Sequence, residues 1–227
     1  MSLILHIETA SKNCSVALAK SGRLLALEEI ATAHYSHAEQ LHPFIQELFE
    51  ATDLKVENLD SVAVSKGPGS FTGLRIGVAA AKGICFALDI PLIAINTLEL
   101  MAQSHINDKN RWLIPMLDAR RMEVYTAVFD GAGKEIKRTR QEGLFPKSVG
   151  AVLENQKAYV FGEGAKKFKT ITENENLLFL DNYDFPSARQ MVAMAYEAFK
   201  TKQFEDLAYF EPFYLKEFIS NPPKSKH

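Results

Sequence analysis

Gly67-Pro68-Gly69-Ser70-Phe71-Thr72-Gly73-Leu74-Arg75-Ile76-Gly77-Val78-Ala79-Ala80-Ala81-Lys82-Gly83 is the stretch from which the fold follows. A short apolar strand, Val62 to Ser65, runs directly into it. Gly67 and Gly69 permit a turn that a side chain would obstruct, and Pro68 fixes one backbone angle within it. Ser70 or Thr72 can cap the helix that follows, expected over Phe71–Leu88. Gly73, Gly77, Ala80 and Ala81 put small residues on one side of that helix, where another helix or backbone can come close. The spacing excludes a Walker phosphate loop, G-x-x-x-x-G-K-[ST]. It also excludes the dinucleotide fingerprint G-x-G-x-x-G, because Thr72 stands at the third glycine. On its residues alone the segment reads first as a tight strand-to-helix packing turn.

Around it, strands and helices interleave, which predicts an α/β class. Leu3–Glu8 and Cys14–Ala19 read as a hairpin, with Arg23–Ile30 as a third strand. Ser36 is positioned to cap a helix from His37 to about Ala51, whose Leu41, Phe44, Ile45, Leu48 and Phe49 follow helical spacing. Asp60–Ser65 and Pro91–Ile95 read as strands, and Thr97 as the cap of a helix over Leu98–Ser104. The polar stretch 105–111 reads as a linker, giving expected lobes 1–103 and 108–227. After it the opening pattern returns as Trp112–Leu117, an acid, a polar turn and Val124–Phe129, a hint of internal repetition. Further strands are expected at Ala158–Phe161 and Leu177–Leu180, and Ser187 as the cap of a helix over Ala188–Lys200, with an extended ending at Tyr209–Lys216.

The chain has 227 residues, 47% hydrophobic and 24% charged, with a formal net charge of −2. That balance supplies no global field favouring nucleic acid or an anionic membrane. Two cysteines, Cys14 and Cys85, give neither a disulfide framework nor a zinc spacing. The first residues carry no basic region and meet Glu8 early, unlike a signal peptide, and no apolar stretch reads as a membrane span. The expected location is cytoplasmic.

Three constellations invite chemistry. His34, His37 and His42 gather near Glu39, but no two histidines have the four-residue spacing of a helical metal pair. Their first reading is capping, surface or contact. Glu8 and Asp118 end corresponding strands, and two carboxylates across a cleft can hold a magnesium-bound phosphate. Their turns, Thr9 to Asn13 and Ala119 to Glu123, contain no glycine to let phosphate near the backbone, so strand-end turns are the first reading. Ser65, Ser70 and Thr72 have no evident base and read as caps rather than nucleophiles.

Taken together these segments resemble the TsaB (YeaZ) family. The resemblance rests on Ile7-Glu8-Thr9 with Ser15-Val16-Ala17-Leu18, His37 with Leu41 and Pro43, the glycine segment through Gly83, Asp118-Ala119-Arg120-Arg121 with Glu123-Val124-Tyr125, and Pro212-Phe213-Tyr214-Leu215-Lys216. It implies a degenerate two-lobed fold of the actin, Hsp70 and sugar-kinase type. It also implies a non-catalytic subunit for threonylcarbamoyl transfer to the tRNA adenosine beside the anticodon. The implied partners are a catalytic TsaD-type subunit, a TsaE-type ATPase through the complex, tRNA indirectly, and a second copy when the chain is alone. The sister subunit's metal-binding H-x-x-x-H is replaced here by Ile93 to Leu100 without histidine, so no cofactor or metal is expected. The resemblance places the interface on the two long helices, at Leu41, Phe44, Ile45, Leu48, Leu74, Val78 and Lys82. Arg75, Arg120 and Arg121 are candidates for polar contacts with partner or tRNA. The alternative is a small-molecule kinase or ATPase of the same fold, which the glycine-free turns disfavour; a peptidase lacks a visible catalytic set.

Overall fold

The computed structural model describes residues 2–32, 36–106, 108–148, 153, 156–181 and 185–215. Five strands form the first sheet: β1 (Leu3–Glu8), β2 (Asn13–Lys20), β3 (Arg23–Ala31), β4 (Ser61–Gly67) and β5 (Leu92–Asn96), in the order β3-β2-β1-β4-β5. The β1–β2–β3 meander is antiparallel, whereas β4 and β5 join parallel to β1. The second sheet consists of β6 (Trp112–Asp118), β7 (Glu123–Phe129), β8 (Glu135–Gly143), β9 (Ala158–Phe161) and β10 (Leu177–Leu180). Its order, β8-β7-β6-β9-β10, and its strand directions repeat those of the first. The repeated strand–acid–turn–strand pattern in the sequence therefore marks a repeated five-stranded unit.

The layers follow from which faces are apolar. Helices α1 (His37–Thr52) and α2 (Phe71–Leu88) cover one face of the first sheet, where Leu41, Ile45, Leu48, Val78, Ala81 and Cys85 meet β1, β2 and β4. Helix α3 (Thr97–Gln103) and helix α5 (Val192–Lys200) lie between the sheets, in one apolar cluster that takes Ile4, Ile93 and Ile95 from the first sheet and Leu113, Phe129 and Phe161 from the second. Short α4 (Ala165–Lys169) covers the second sheet's far face through Phe168. The segment after β10 returns to the first sheet. Asn13 Nδ2 donates to the Pro186 carbonyl, the Ala188 N–H to Ser15 Oγ, and Arg189 pairs with Glu29.

Boundary signals were only partly as expected. Ser70 does cap α2, accepting from the Gly73 N–H, and Ser187 accepts from the Arg189 N–H. Ser36 makes no side-chain cap bond to α1. Thr97 is buried inside α3, and Asn96 takes the cap, accepting from the Leu98 and Glu99 N–H groups. Strand β8 was not foreseen, because EIKRTRQEG is mostly charged and its apolar content is too low to mark a strand. Its turn is legible in hindsight: Asp130 Oδ1 accepts from the Ala132 and Lys134 N–H groups, and Gly133 has φ +84°. The expectation that no segment could span a bilayer needs correction. The 18 residues of α2 are long and apolar enough by composition, with mean hydropathy 1.4. Their packing gives the reason: α2 is the crossover joining adjacent parallel strands of one sheet, and its Leu74, Val78, Ala81 and Cys85 are buried in this fold.

The β1–β2 turn and the start of α2 interlock. The Ser70 N–H donates to the Ala10 carbonyl at 2.7 Å, and Thr9 Oγ1 donates to the Gly73 carbonyl at 2.8 Å. A Cβ at Gly69 would strike the Ala10 carbonyl, at Gly73 the Thr9 carbonyl, and at Gly77 the Thr9 hydroxyl. The backbone expected near the small residues thus belongs to this chain's own hairpin. The second unit carries a lesser version that the sequence reading missed. Gly162-Glu163-Gly164 follows β9 as Gly67-Pro68-Gly69 follows β4. Gly162 has φ +99° against +106° at Gly67, and the Gly164 N–H donates to the Met116 carbonyl.

This contrast predicts opposite outcomes for two alanine substitutions in one helix. Gly73→Ala should destabilise the protein by about 2 kcal/mol or more, since backbone must move to admit the methyl group. Gly83→Ala, with open space around it, should stabilise by about 0.5–1 kcal/mol. Urea denaturation of both variants checks the pair.

Candidate functional site

The two hairpin turns begin alike. Glu8 and Asp118 each end the first strand of a unit, and each accepts from a backbone N–H two residues on: Ala10 N to Glu8 Oε1 at 2.6 Å, Arg120 N to Asp118 Oδ1 at 2.5 Å. Their surroundings then diverge. Glu8 is fully buried beneath the α2 interlock, together with Thr9, Ala10 and Ser11. Burial pushes its carboxyl up to about 7, against the Ala10 N–H and the Ser65 hydroxyl, which favour the charged form. Asp118 is exposed and pairs with Lys167 of α4 at 2.9 Å. The carboxylates are held by separate partners.

The second turn is open and clamped. Arg120 and Arg121 have φ +68° and +50°, consecutive non-glycine residues in the left-handed region, which costs roughly 1–2 kcal/mol each. Lys167 Nζ donates to Asp118 Oδ1, the Arg121 carbonyl and the Glu123 carbonyl at 2.8–2.9 Å. Both arginines are exposed, and among the described residues neither guanidinium has a carboxylate partner. The histidine cluster does not assemble. His37 is buried and its Nε2 lies 2.8 Å from the Ser11 carbonyl, His42 is exposed, and His34 lies outside the described residues.

The expected interface residues fall mostly in the core. Leu41, Ile45, Leu48, Leu74 and Val78 are buried, and Phe44 is half-buried against the same cluster. A side chain without exposed area has little left to offer a partner, and the exposed positions lie elsewhere. Helix α2 supplies them: Arg75, Ala79, Gly83 and Phe86 form an exposed ridge, and Phe86 is 82% exposed. Lys82 is occupied, donating to the Ala208 and Phe210 carbonyls at 3.3 and 3.1 Å. These bonds strap the segment 206–215 along α2. The Phe213 N–H donates to the Lys66 carbonyl, and Tyr214 meets the Phe71 ring with centroids 5.0 Å apart. Between strap and helix lies an open groove of about 370 Å³, lined by Phe71, Arg75, Val78, Glu211 and Tyr214 among others. The ridge was missed because Phe86 reads as one more apolar residue of a core helix. Its spacing of four, three and seven residues from Lys82, Gly83 and Ala79 was the available signal.

Comparison with known proteins agrees with this architecture. A family model described as TsaD, tRNA N6-adenosine threonylcarbamoyltransferase, matches residues 30–222. The tRNA threonylcarbamoyladenosine biosynthesis protein TsaB of Haemophilus influenzae is 29% identical, over 96% of this chain and 94% of its own. A Pseudomonas aeruginosa structure, described as an uncharacterized protein with similarity to peptidase YEAZ, superposes with TM-score 0.83 at 25% identity, covering 95% of this chain and all of its own. The Clostridium difficile activator of 2-hydroxyisocaproyl-CoA dehydratase, with bound ADPNP, shares the fold at TM-score 0.51 and 11% identity, over 88% of this chain and 97% of its own. The α/β fold with two five-stranded sheets of repeated strand order is thus one that these solved structures share.

Two buried groups of β1 predict an unusual pH response. Burial lowers His6 to about 4, opposed by backbone contacts to Ala17 and Ile4. In the pH window from about 4 to 6.5 the unfolded chain binds more protons at His6, so that residue makes stability rise with pH. At Glu8 the folded chain holds the proton from about 4.5 to 7, so that residue makes stability fall with pH. The two largely cancel. Glu8→Gln removes one of them, so between pH 4.5 and 6.5 its stability should rise relative to the parent's by roughly 2–3 kcal/mol. Denaturant titrations at four pH values measure this.

Proposed function

Because the chain belongs to the tRNA N6-adenosine threonylcarbamoyltransferase family, on its TsaB (YeaZ) branch, we propose that it acts in making threonylcarbamoyladenosine on tRNA as the non-catalytic partner of a TsaD-type subunit. The observation that carries this reading is the exposed ridge of α2, ending in Phe86. An apolar side chain left open beside Gly83 and Ala79 offers close approach and contact area together. The occupant we assign to it is a helix of the catalytic subunit, or of a second copy when the chain is alone. A TsaE-type ATPase then joins through the complex, in the cytoplasm.

The sealed β1–β2 turn supports the non-catalytic part. In a kinase of this fold, that turn would have to lend backbone N–H groups to phosphate. Here the Ala10 N–H is taken by Glu8 and its carbonyl by the Ser70 N–H, and the turn is buried beneath α2. Glu8, which burial pushes up to about 7, is also a weaker ligand for magnesium there than a solvated carboxylate.

Tests on reconstituted tRNA modification separate the readings. Phe86→Asp and Gly83→Glu are surface changes and should leave the fold intact. Each should weaken association with the catalytic subunit about 30-fold or more and reduce modification in step. Glu8→Gln should retain activity at matched stability. Activity lost only in the carboxylate variant, with Phe86→Asp fully active, would sink the proposal in favour of the kinase alternative.

A further inference from the structure

The β6–β7 turn is strained, clamped and positively charged, and the docking role of α2 leaves it unused. We infer that this turn is an RNA-contact element, with Arg120 and Arg121 as its phosphate-binding side chains. The inference rests on the function proposed above and extends it: this chain would touch the RNA directly as well as support the subunit that modifies it.

Four observations converge. Two adjacent arginines occupy the left-handed region that glycine would accept without penalty. A glycine turn would fold more easily, so the guanidinium groups themselves account for the residues present. Lys167 holds the turn by donating to Asp118 Oδ1 and to the carbonyls of Arg121 and Glu123, which pairs off the Asp118 carboxylate. Glu142, on the adjoining strand, is likewise paired, with Arg140. Among the described residues neither arginine has an ion-pair partner, although Glu123, half-buried where the turn enters β7, adds one carboxylate close by in sequence.

The surface beside the turn also suits RNA. The Leu144 N–H donates to the Met122 carbonyl at 2.8 Å, tying the end of β8 to the turn. The next residue, Phe145, is 70% exposed, and exposed Lys147 follows it. The backbone of Phe145 is held by reciprocal bonds with Ser148: its N–H donates to Ser148 Oγ and its carbonyl accepts from the Ser148 N–H. Arginines for phosphate beside an open aromatic ring for base stacking is a combination suited to single-stranded or looped RNA. A carboxylate-bearing protein could use the same arginines and ring, and the salt dependence of binding separates it from RNA.

The test uses the complex of this chain with its catalytic subunit and an unmodified tRNA transcript. In R120G/R121G the charge goes and the backbone relaxes, so the urea midpoint should rise while tRNA affinity falls about tenfold at moderate salt. The slope of log K against log salt should become shallower by about 1.5. R120K/R121K should keep the slope near that of the parent, and Phe145→Ala should weaken binding without changing it. Unchanged affinity and slope in R120G/R121G would overturn the inference. So would loss of association with the catalytic subunit at unchanged RNA affinity, which would make the turn a protein contact. Modification that proceeds without this chain would defeat the functional reading instead, and the salt slope of the complex would still decide the RNA contact.

Discussion

The close approach of the β1–β2 turn to the first turns of α2 is the constraint on which the remaining structure depends. It requires three positions, Gly69, Gly73 and Gly77, to carry no side chain against Thr9 and Ala10. It supplies two hydrogen bonds in return, Ser70 N–H to the Ala10 carbonyl and Thr9 Oγ1 to the Gly73 carbonyl. It fixes which side of α2 faces inward, and so which side is left exposed. It also closes water off from Glu8, which drives that carboxyl toward its neutral form. Packing, helix orientation and the chemistry of the first hairpin thus share one cause.

Much of the frame was legible because its signals are local. The glycine segment, the first hairpin and the α2 cap depend on residues within a few positions of one another, and all appear where their chemistry places them. The inner layer was less legible. Helix α5 packs between two sheets, so its apolar residues report burial without saying against what. Strand β8 and the Gly162–Gly164 turn were missed for a related reason. One is a charged edge strand held by pairing to β7 alone, and the other is a short echo of a motif whose helix has shrunk to Ala165–Lys169.

The contact face shows the limit more sharply. Periodicity identifies the apolar positions of α1 and α2 but cannot separate core from interface, since both want the same residues. Leu41, Leu48 and Leu74 proved to be core, while Phe86, of the same chemical kind, is open. Lys82 illustrates the complementary error. Its charge suggested a polar contact with a partner, yet its ammonium is spent on carbonyls of the chain's own final segment. A long-range backbone acceptor of this sort leaves no trace in local sequence.

The two repeated units finally explain how one small chain carries two surfaces. Each unit places an acid at the end of its first strand and a backbone donor two residues later. In the first, a long helix closes over the turn, and the exposed asset becomes the helix's far side. In the second, the corresponding helix is five residues long. It cannot cover the turn; one lysine reaches across and clamps it instead, leaving two arginines outside. The ridge of α2 and the β6–β7 turn share no residue, and each derives its exposure from the length of the helix that follows the unit's fourth strand. Burial at one hairpin and access at the other are therefore alternative outcomes of one topology, decided by whether glycines admit a long helix against the turn.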